Sequence, residues 1–170
     1  KWTDGDSSAF DNQDGLYTVC VRGMENGVAV EENMINASIS RVLSSKTEWQ
    51  RIMECAHNPE MKIIISNTTE VGIQLMEDDI NAAPPVSFPG KLLAFLFERF
   101  TAFNGSKESG MIIVPTELIT DNGDKLESIV LELAHRNNLD YKFFEWLESH
   151  NVFCNSLVDR IVPGKPNATE

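Results

Sequence analysis

The sequence has few basic residues, few cysteines and no long apolar run, and each shortage excludes a class of protein. Its 14 lysines and arginines face 26 aspartates and glutamates, giving a formal net charge of -12 over 170 residues. Such a chain offers no basic patch to neutralise phosphates, so we expect it to bind neither nucleic acid nor an anionic membrane. No run approaches the length of a membrane span, and residues 1–20 show no signal-peptide pattern.

The cysteines are three in number and far apart: Cys20, Cys55 and Cys154. An odd count without close pairs fits neither a disulfide framework nor a zinc site. The histidines show no metal-ligand spacing and stand beside no serine or cysteine nucleophile. We therefore predict reduced thiols, a cytosolic protein and no metal site.

Apolar strands alternate with amphipathic helices along most of the chain. We predict strands at 61–66 and 111–115, helices at 48–56, 91–103, 125–136 and 141–149, and a hairpin around a turn at Gly23–Gly27. The continuous β-branched run at 61–66 is typical of a strand that is buried on both faces. The alternation predicts an α/β fold, Rossmann-like, with a mostly parallel sheet and helices on both faces.

Short polar residues follow the first buried strand directly: Ser66, Asn67, Thr68, Thr69 and Glu70. In open α/β sheets, ligands bind beyond the carboxyl ends of the strands. Hydroxyl and amide groups at this point can bond a ribose or a pyrophosphate. The alternative is an ordinary strand-to-loop exit whose polar side chains satisfy their own backbone.

The second buried strand has an equivalent polar exit. Glu117 follows Pro115, and Asp121, Asn122 and Gly123 come shortly after. Glu117 is thus a further candidate for contact with a ligand that carries a ribose or a pyrophosphate, such as a nucleotide cofactor. The alternative is that Asp121 or Asn122 caps the next helix and that Glu117 is solvated.

Residues 153–164, which we call the closing segment, carry an amide and two charged groups between apolar residues. These are the amide of Asn155, the carboxylate of Asp159 and the guanidinium of Arg160. Asn155 and Asp159 share a face whether the segment is extended or helical. Either geometry could place the amide beside a sugar hydroxyl, so both residues are candidate substrate contacts. The alternative for Asp159 and Arg160 is a structural ion pair.

Several blocks of sequence resemble, in order along the chain, the mannitol dehydrogenase family of long-chain polyol dehydrogenases. These blocks are residues 13–18, 56–61, 66–70, 97–100, 103–105, 117–119, 122–124 and 157–162. The resemblance implies an enzyme of two domains, in which an N-terminal Rossmann-type domain holds NAD and a helical C-terminal domain supplies the base. It implies hydride transfer, and the blocks are most similar to the branch that interconverts tagaturonate and altronate. Other branches act on fructuronate or mannitol.

The chain departs from the family pattern at two points. It has no Gly-x-Gly-x-x-Gly or related glycine-rich turn, which lets a pyrophosphate approach the backbone. It also lacks the family's Lys-x-x-x-x-Asn-x-x-His constellation. We therefore expect residues 1–170 to be a partial nucleotide-binding domain that lacks its first βαβ unit and pairs with a separate C-terminal domain. On its own it should be inactive and bind NAD weakly, if at all.

The resemblance also assigns roles to two residues. Asn155 falls on the family's asparagine that helps to hold the reacting oxygen, and is our candidate catalytic residue; an amide donor can stabilise developing alkoxide charge. Glu70 matches a glutamate near the active site, in a possible proton path, with a solvated loop carboxylate as the alternative. A function of another class, a non-catalytic acidic α/β binding module, stays open at this point.

Overall fold

Two units make up the chain, one built around a β-hairpin and the other around a parallel sheet. The computed structural model describes residues 2–3, 8–69 and 71–157. The units divide between Cys55 and Ala56. Among the described residues, no helix combines the length and the apolar character that crossing a bilayer requires.

In the first unit, four strands and two short helices lie within residues 2–3 and 8–55. They are β1 (Trp2–Thr3), α1 (Ser8–Asp11), β2 (Tyr17–Glu25), β3 (Val28–Asn36), β4 (Leu43–Ser44) and α2 (Trp49–Cys55). β1 and β4 pair in parallel, and β2 and β3 form the antiparallel hairpin. The predicted turn at Gly23–Gly27 is too long, because Gly23 pairs with Val30 inside the ladder. Only Asn26 and Gly27 turn, at φ of 51° and 81°, which suits the two-residue hairpin loop that Asn-Gly favours.

The described residues of the second unit form a three-stranded sheet, three α-helices and a 3-10 helix at Lys107–Ser109. Its elements in chain order are β5 (Ile63–Ser66), α3 (Phe88–Ala102), β6 (Ile112–Pro115), α4 (Asn122–Arg136), α5 (Tyr141–His150) and β7 (Val152–Phe153). The strands lie in the order β5-β6-β7 and all pairs are parallel. The predicted α/β fold with a parallel sheet is confirmed.

The core of this unit lies on one face of the sheet. Ile64 and Ile113 point into it, and α3, α4 and α5 contribute fully buried leucines and aromatics. The aromatic cluster that joins α3 to α5 includes Phe100, Phe143 and Trp146, with ring centroids 5.4–6.0 Å apart. These edge-on, tilted and stacked contacts are favoured geometries for packed rings. The cluster is therefore part of the core.

The other face of the sheet is exposed. Ile63 and Ile65 on β5 are 54% and 69% exposed, and Ile112 and Val152 continue the same row across the sheet. The prediction that 61–66 is buried on both faces is wrong for the described residues. Apolar residues on both faces of a strand make its burial favourable, but each face becomes buried only where another element packs on it.

Arg99 is a buried cation without a carboxylate partner among the described residues. Its guanidinium donates hydrogen bonds of 2.6–2.9 Å to the carbonyls of Ser109, Ala56, Asn58 and Met61. Burial lowers its pKa from the ordinary value. Four carbonyl dipoles take the place of a counter-ion, so this side chain fastens α3 to the segment that leads into β5.

Candidate functional site

The carboxyl ends of the three parallel strands bring the predicted polar residues to one edge of the sheet. β5 ends at Ser66, β6 at Pro115 and β7 at Phe153. Thr116 donates from both its backbone N–H (2.8 Å) and its hydroxyl (2.6 Å) to the carbonyl of Ser66, which extends the pairing past the strand ends. The exits of β5 and β6 are therefore held side by side, where open α/β sheets bind ligands.

Glu117 joins these two exits. It is only 3% exposed, and its carboxylate accepts hydrogen bonds from the Ser66 hydroxyl at 3.0 Å and from the Thr68 backbone N–H at 2.8 Å. The Thr68 hydroxyl donates to the same carboxylate at 2.7 Å. Glu117 is thus not a solvated side chain. Its three hydrogen bonds fix the loop after β5.

The loop after β5 has a buried beginning and an exposed continuation. Ser66 is 4% exposed, whereas Asn67, Thr68 and Thr69 are exposed. Glu70 lies outside the described residues. The exposed amide and hydroxyl groups are the part of the predicted set that can reach a bound molecule.

Asn122, the first residue of α4, makes hydrogen bonds to the loop after β6 and to the segment after β7. Its side chain is fully buried. Its Nδ2 lies 3.0–3.1 Å from the carbonyls of Pro115, Glu117 and Ser156 and 3.3 Å from the Ser156 hydroxyl. Its Oδ1 accepts the Ser156 backbone N–H at 2.9 Å. One amide therefore links the exit of β6, the start of α4 and the segment after β7.

Asn155 lies in that segment, next to the first turn of α4. Its Oδ1 accepts the backbone N–H of Asp124 at 3.1 Å, a group that has no acceptor within the helix. A Cβ on Gly123 would meet the Cys154 carbonyl carbon at 2.6 Å and the Asn155 nitrogen at 2.8 Å. Only glycine permits this approach of the closing segment to the helix.

Asp121 occupies the N-cap position of α4 but does not cap it. Its backbone is left-handed, at φ 50° and ψ 46°, and its side chain makes no capping hydrogen bond. The expectation that Asp121 or Asn122 caps this helix is therefore wrong. A residue far along the chain, Asn155, accepts the hydrogen bond from the first turn instead.

Of the three candidates in the closing segment, the structure describes only Asn155. Asn155 is exposed, and among the described residues no group accepts from its Nδ2. Asp159 and Arg160 lie outside the described residues, so their contacts stay predictions. Asn122 was predicted only as a possible cap of α4, and its links to Pro115, Glu117 and Ser156 were not predicted. The available sequence feature was an asparagine followed by a glycine a few residues after a buried strand.

Comparisons with known proteins agree with this architecture. The family model for the mannitol dehydrogenase Rossmann domain matches residues 6–170. The chain is 47% identical over 158 residues to altronate oxidoreductase of Bacillus subtilis, which covers 92% of the chain and 33% of that relative. Altronate oxidoreductase of Escherichia coli O7:K1 is 46% identical over 160 residues, 93% of the chain and 33% of the relative. The chain thus spans about a third of the length of these relatives.

Solved structures share the fold at lower identity. Pseudomonas fluorescens mannitol 2-dehydrogenase, in a ternary complex with NAD and D-mannitol, matches with a TM-score of 0.75 and 23% identity over 96% of this chain and 34% of that one. A substrate-free D-sorbitol dehydrogenase matches with a TM-score of 0.74 and 21% identity over the same shares. With the family model matching nearly every residue, the chain belongs to the mannitol dehydrogenase family and lies within its Rossmann domain.

Proposed function

We propose that this chain is the nucleotide-binding part of an NAD-dependent oxidoreductase that interconverts D-tagaturonate and D-altronate. The observation that carries the proposal is the 46–47% identity to altronate oxidoreductases over more than nine-tenths of the chain. The mannitol and sorbitol enzymes are only 21–23% identical to it. Substrate choice follows the closer relatives, with fructuronate or a polyol as the alternative substrates within the family.

The second part of the proposal concerns domain organisation. The relatives are about three times as long as this chain, since it covers 33% of each. We infer that residues 1–170 work together with a further, helical domain of the same protein, which supplies the base and most of the sugar pocket. The residues whose side chains make hydrogen bonds at this edge, namely Ser66, Thr68, Thr116, Glu117, Asn122, Asn155 and Ser156, include no lysine or histidine.

The polar groups at the carboxyl ends of the strands can bind the nicotinamide half of the coenzyme. Asn67, Thr68 and Thr69 are exposed at the exit of β5 and can bond the ribose, while the buried pair Ser66 and Glu117 holds their loop in place. The described residues contain no glycine-rich turn that would cradle the pyrophosphate. NADH, when bound, supplies the hydride. Glu70 stays a proposed part of the proton path.

Asn155 is the residue of this chain that we assign to the reacting oxygen. Its Oδ1 is engaged by the Asp124 N–H, so its Nδ2 is the group left to donate. A neutral donor at that point stabilises the alkoxide that forms as the keto group is reduced, without a change in its own protonation. Asp159 is the proposed second contact to the sugar acid.

The test is a substrate panel on the full-length protein that contains this chain. Purified protein is assayed with NADH against tagaturonate, fructuronate and fructose, and with NAD against altronate and mannitol. We expect the highest kcat/KM with tagaturonate and altronate. A preference for another pair would transfer the function to that branch, and inactivity with all of them while NADH still binds would favour a non-catalytic nucleotide-binding role.

A further inference from the structure

The amide of Asn122 controls the position of Asn155, although the two side chains do not touch. Asn122 holds Ser156, the next residue after Asn155, through both its backbone N–H (2.9 Å) and its carbonyl (3.1 Å). A residue held at both backbone groups by one planar amide has little freedom to shift. Asn155 is therefore anchored from its C-terminal side by Asn122.

The other side of Asn155 is held by contact with the helix. Gly123 brings the backbone at Cys154 and Asn155 against the first turn of α4, and the Asn155 Oδ1 accepts from Asp124. These contacts also set the orientation of the amide. Because the helix start offers an N–H donor, the oxygen must face it and the Nδ2 must face away.

We infer that Asn122 is a positioning residue that keeps the Nδ2 of Asn155 directed at the reacting oxygen; this inference rests on the proposed function. Asn122 is buried and does not reach the ligand itself. Its role is to fix the closing segment against the exit of β6 through the carbonyls of Pro115 and Glu117. Displacement of a reacting or stabilising group by about 1 Å can cost on the order of 100-fold in rate.

A double-mutant cycle in the full-length protein separates this role from mere support of the fold. The variants are Asn122→Ala, Asn155→Ala and the double mutant, assayed for kcat and for KM of NADH. We expect Asn155→Ala to lower kcat about 100-fold, as loss of an oxyanion donor does. We expect Asn122→Ala to lower kcat about ten-fold or more, and the double mutant to be no slower than Asn155→Ala alone. If the loss of kcat in the double mutant were instead the product of the two single losses, the inference would be wrong.

Asn151 provides the matched control. It is another buried asparagine, 6% exposed, whose amide joins Met111 to the carbonyls of Trp146 and Leu147 at the opposite ends of the strands. Asn151→Ala should lower the Tm as Asn122→Ala does, yet kcat should stay within about two-fold in the protein that remains folded. An equal loss of kcat in both variants would show that the Asn122 effect is only one of stability.

A second measurement does not depend on activity. The Asp124 amide is protected by the Asn155 side chain, so its hydrogen exchange, resolved by fragmentation mass spectrometry, reports the position of Asn155. We expect faster exchange at Asp124 in Asn155→Ala and in Asn122→Ala, with exchange at Leu133 unchanged. If Asn122→Ala fails to fold, Asn122→Ser, whose shorter side chain can no longer join Ser156 to the carbonyls of Pro115 and Glu117, replaces it in both experiments. Unchanged exchange at Asp124 would overturn the inference even in an active enzyme, whereas an inactive wild type would refute only the proposed function.

Discussion

The hydroxyl of Ser66 donates to the carboxylate of Glu117 at 3.0 Å, inside the protein, across a sequence separation of 51 residues. This bond and the two from Thr68 join the loop that follows β5 to the loop that follows β6. Loops normally vary and move more than the strands that they connect. Here a buried carboxylate gives two of them one fixed arrangement.

The first prediction concerns this carboxylate. Glu117→Ala leaves the buried hydroxyl of Ser66 without its acceptor, which costs about 1–3 kcal/mol, and removes the two bonds from the exposed Thr68, each worth about 0.5–1.5 kcal/mol. We expect a loss of about 2–4 kcal/mol in the free energy of unfolding, measured by urea denaturation of the full-length protein. Glu117→Gln should lose much less, because the amide oxygen still accepts from Thr68. Equal losses in the two variants would contradict the role of these hydrogen bonds.

The second prediction concerns Arg99, whose four carbonyl partners require a forked donor. Arg99→Lys keeps the positive charge, but one ammonium group cannot reach carbonyls spread over four residues. We expect the substitution to cost about 2–4 kcal/mol in unfolding free energy. Lys62→Arg, at an exposed lysine that donates to the Glu108 carbonyl, is the reciprocal control and should be nearly neutral. A near-neutral Arg99→Lys would show that charge alone matters at this position.

The third prediction concerns the contact between the closing segment and α4. Gly123→Ala places a methyl group against the backbone of Cys154 and Asn155, which cannot move aside as a flexible side chain could. Overpacking of this kind costs about 1–3 kcal/mol, so we expect a lower Tm together with faster exchange at Asp124. Gly23→Ala is the matched control, since nothing lies within 4 Å of the added Cβ. Its Tm should stay close to that of the wild type.

The fourth prediction concerns the pH dependence contributed by Glu127. Partial burial, and then the negative charges of Asp124 and Glu148, raise the pKa of this carboxyl. The folded protein therefore keeps the Glu127 proton to a higher pH than the unfolded chain does, and stability falls as the pH rises from the ordinary carboxyl range through the raised pKa. Glu127→Gln removes this penalty, so its Tm should exceed the wild-type Tm at pH 7 and match it at pH 3.5.

Glu132→Gln on the same helix is the control for that experiment. Glu132 pairs with Arg136 at 2.8 Å, so neutralising it removes an attraction instead of a repulsion. Its Tm at pH 7 should be equal to that of the wild type or slightly lower. A rise in Tm for both variants would trace the effect to the overall net charge of the chain.

Two of the three parallel strands and the helices α2 to α5 were predictable because each depends on a local pattern. The β-branched run at 61–66 and the apolar spacing of 125–136 are visible in short windows of sequence. The partners of Glu117 and Asn155 were not predictable in this way. The alternative of a solvated Glu117 is wrong, because its carboxylate is buried against a loop 49 residues away, whereas its contact with the cofactor stays a prediction. The capping of α4 by Asn155 likewise depends on a pairing across 31 residues.

The cap supplied by Asn155 has a consequence for biosynthesis. Most helices carry their N-cap just ahead of their first turn, so the cap is synthesised before the helix. The cap on α4 cannot form until residue 155 has been translated and has left the ribosomal tunnel, because the residue at its own N-cap position makes no capping bond. The hydrogen bonds between Asn122 and Ser156 likewise form only after the segment that follows β7 has emerged. Within the described residues of this unit, the edge that we propose to meet the substrate is thus among the last parts to become ordered.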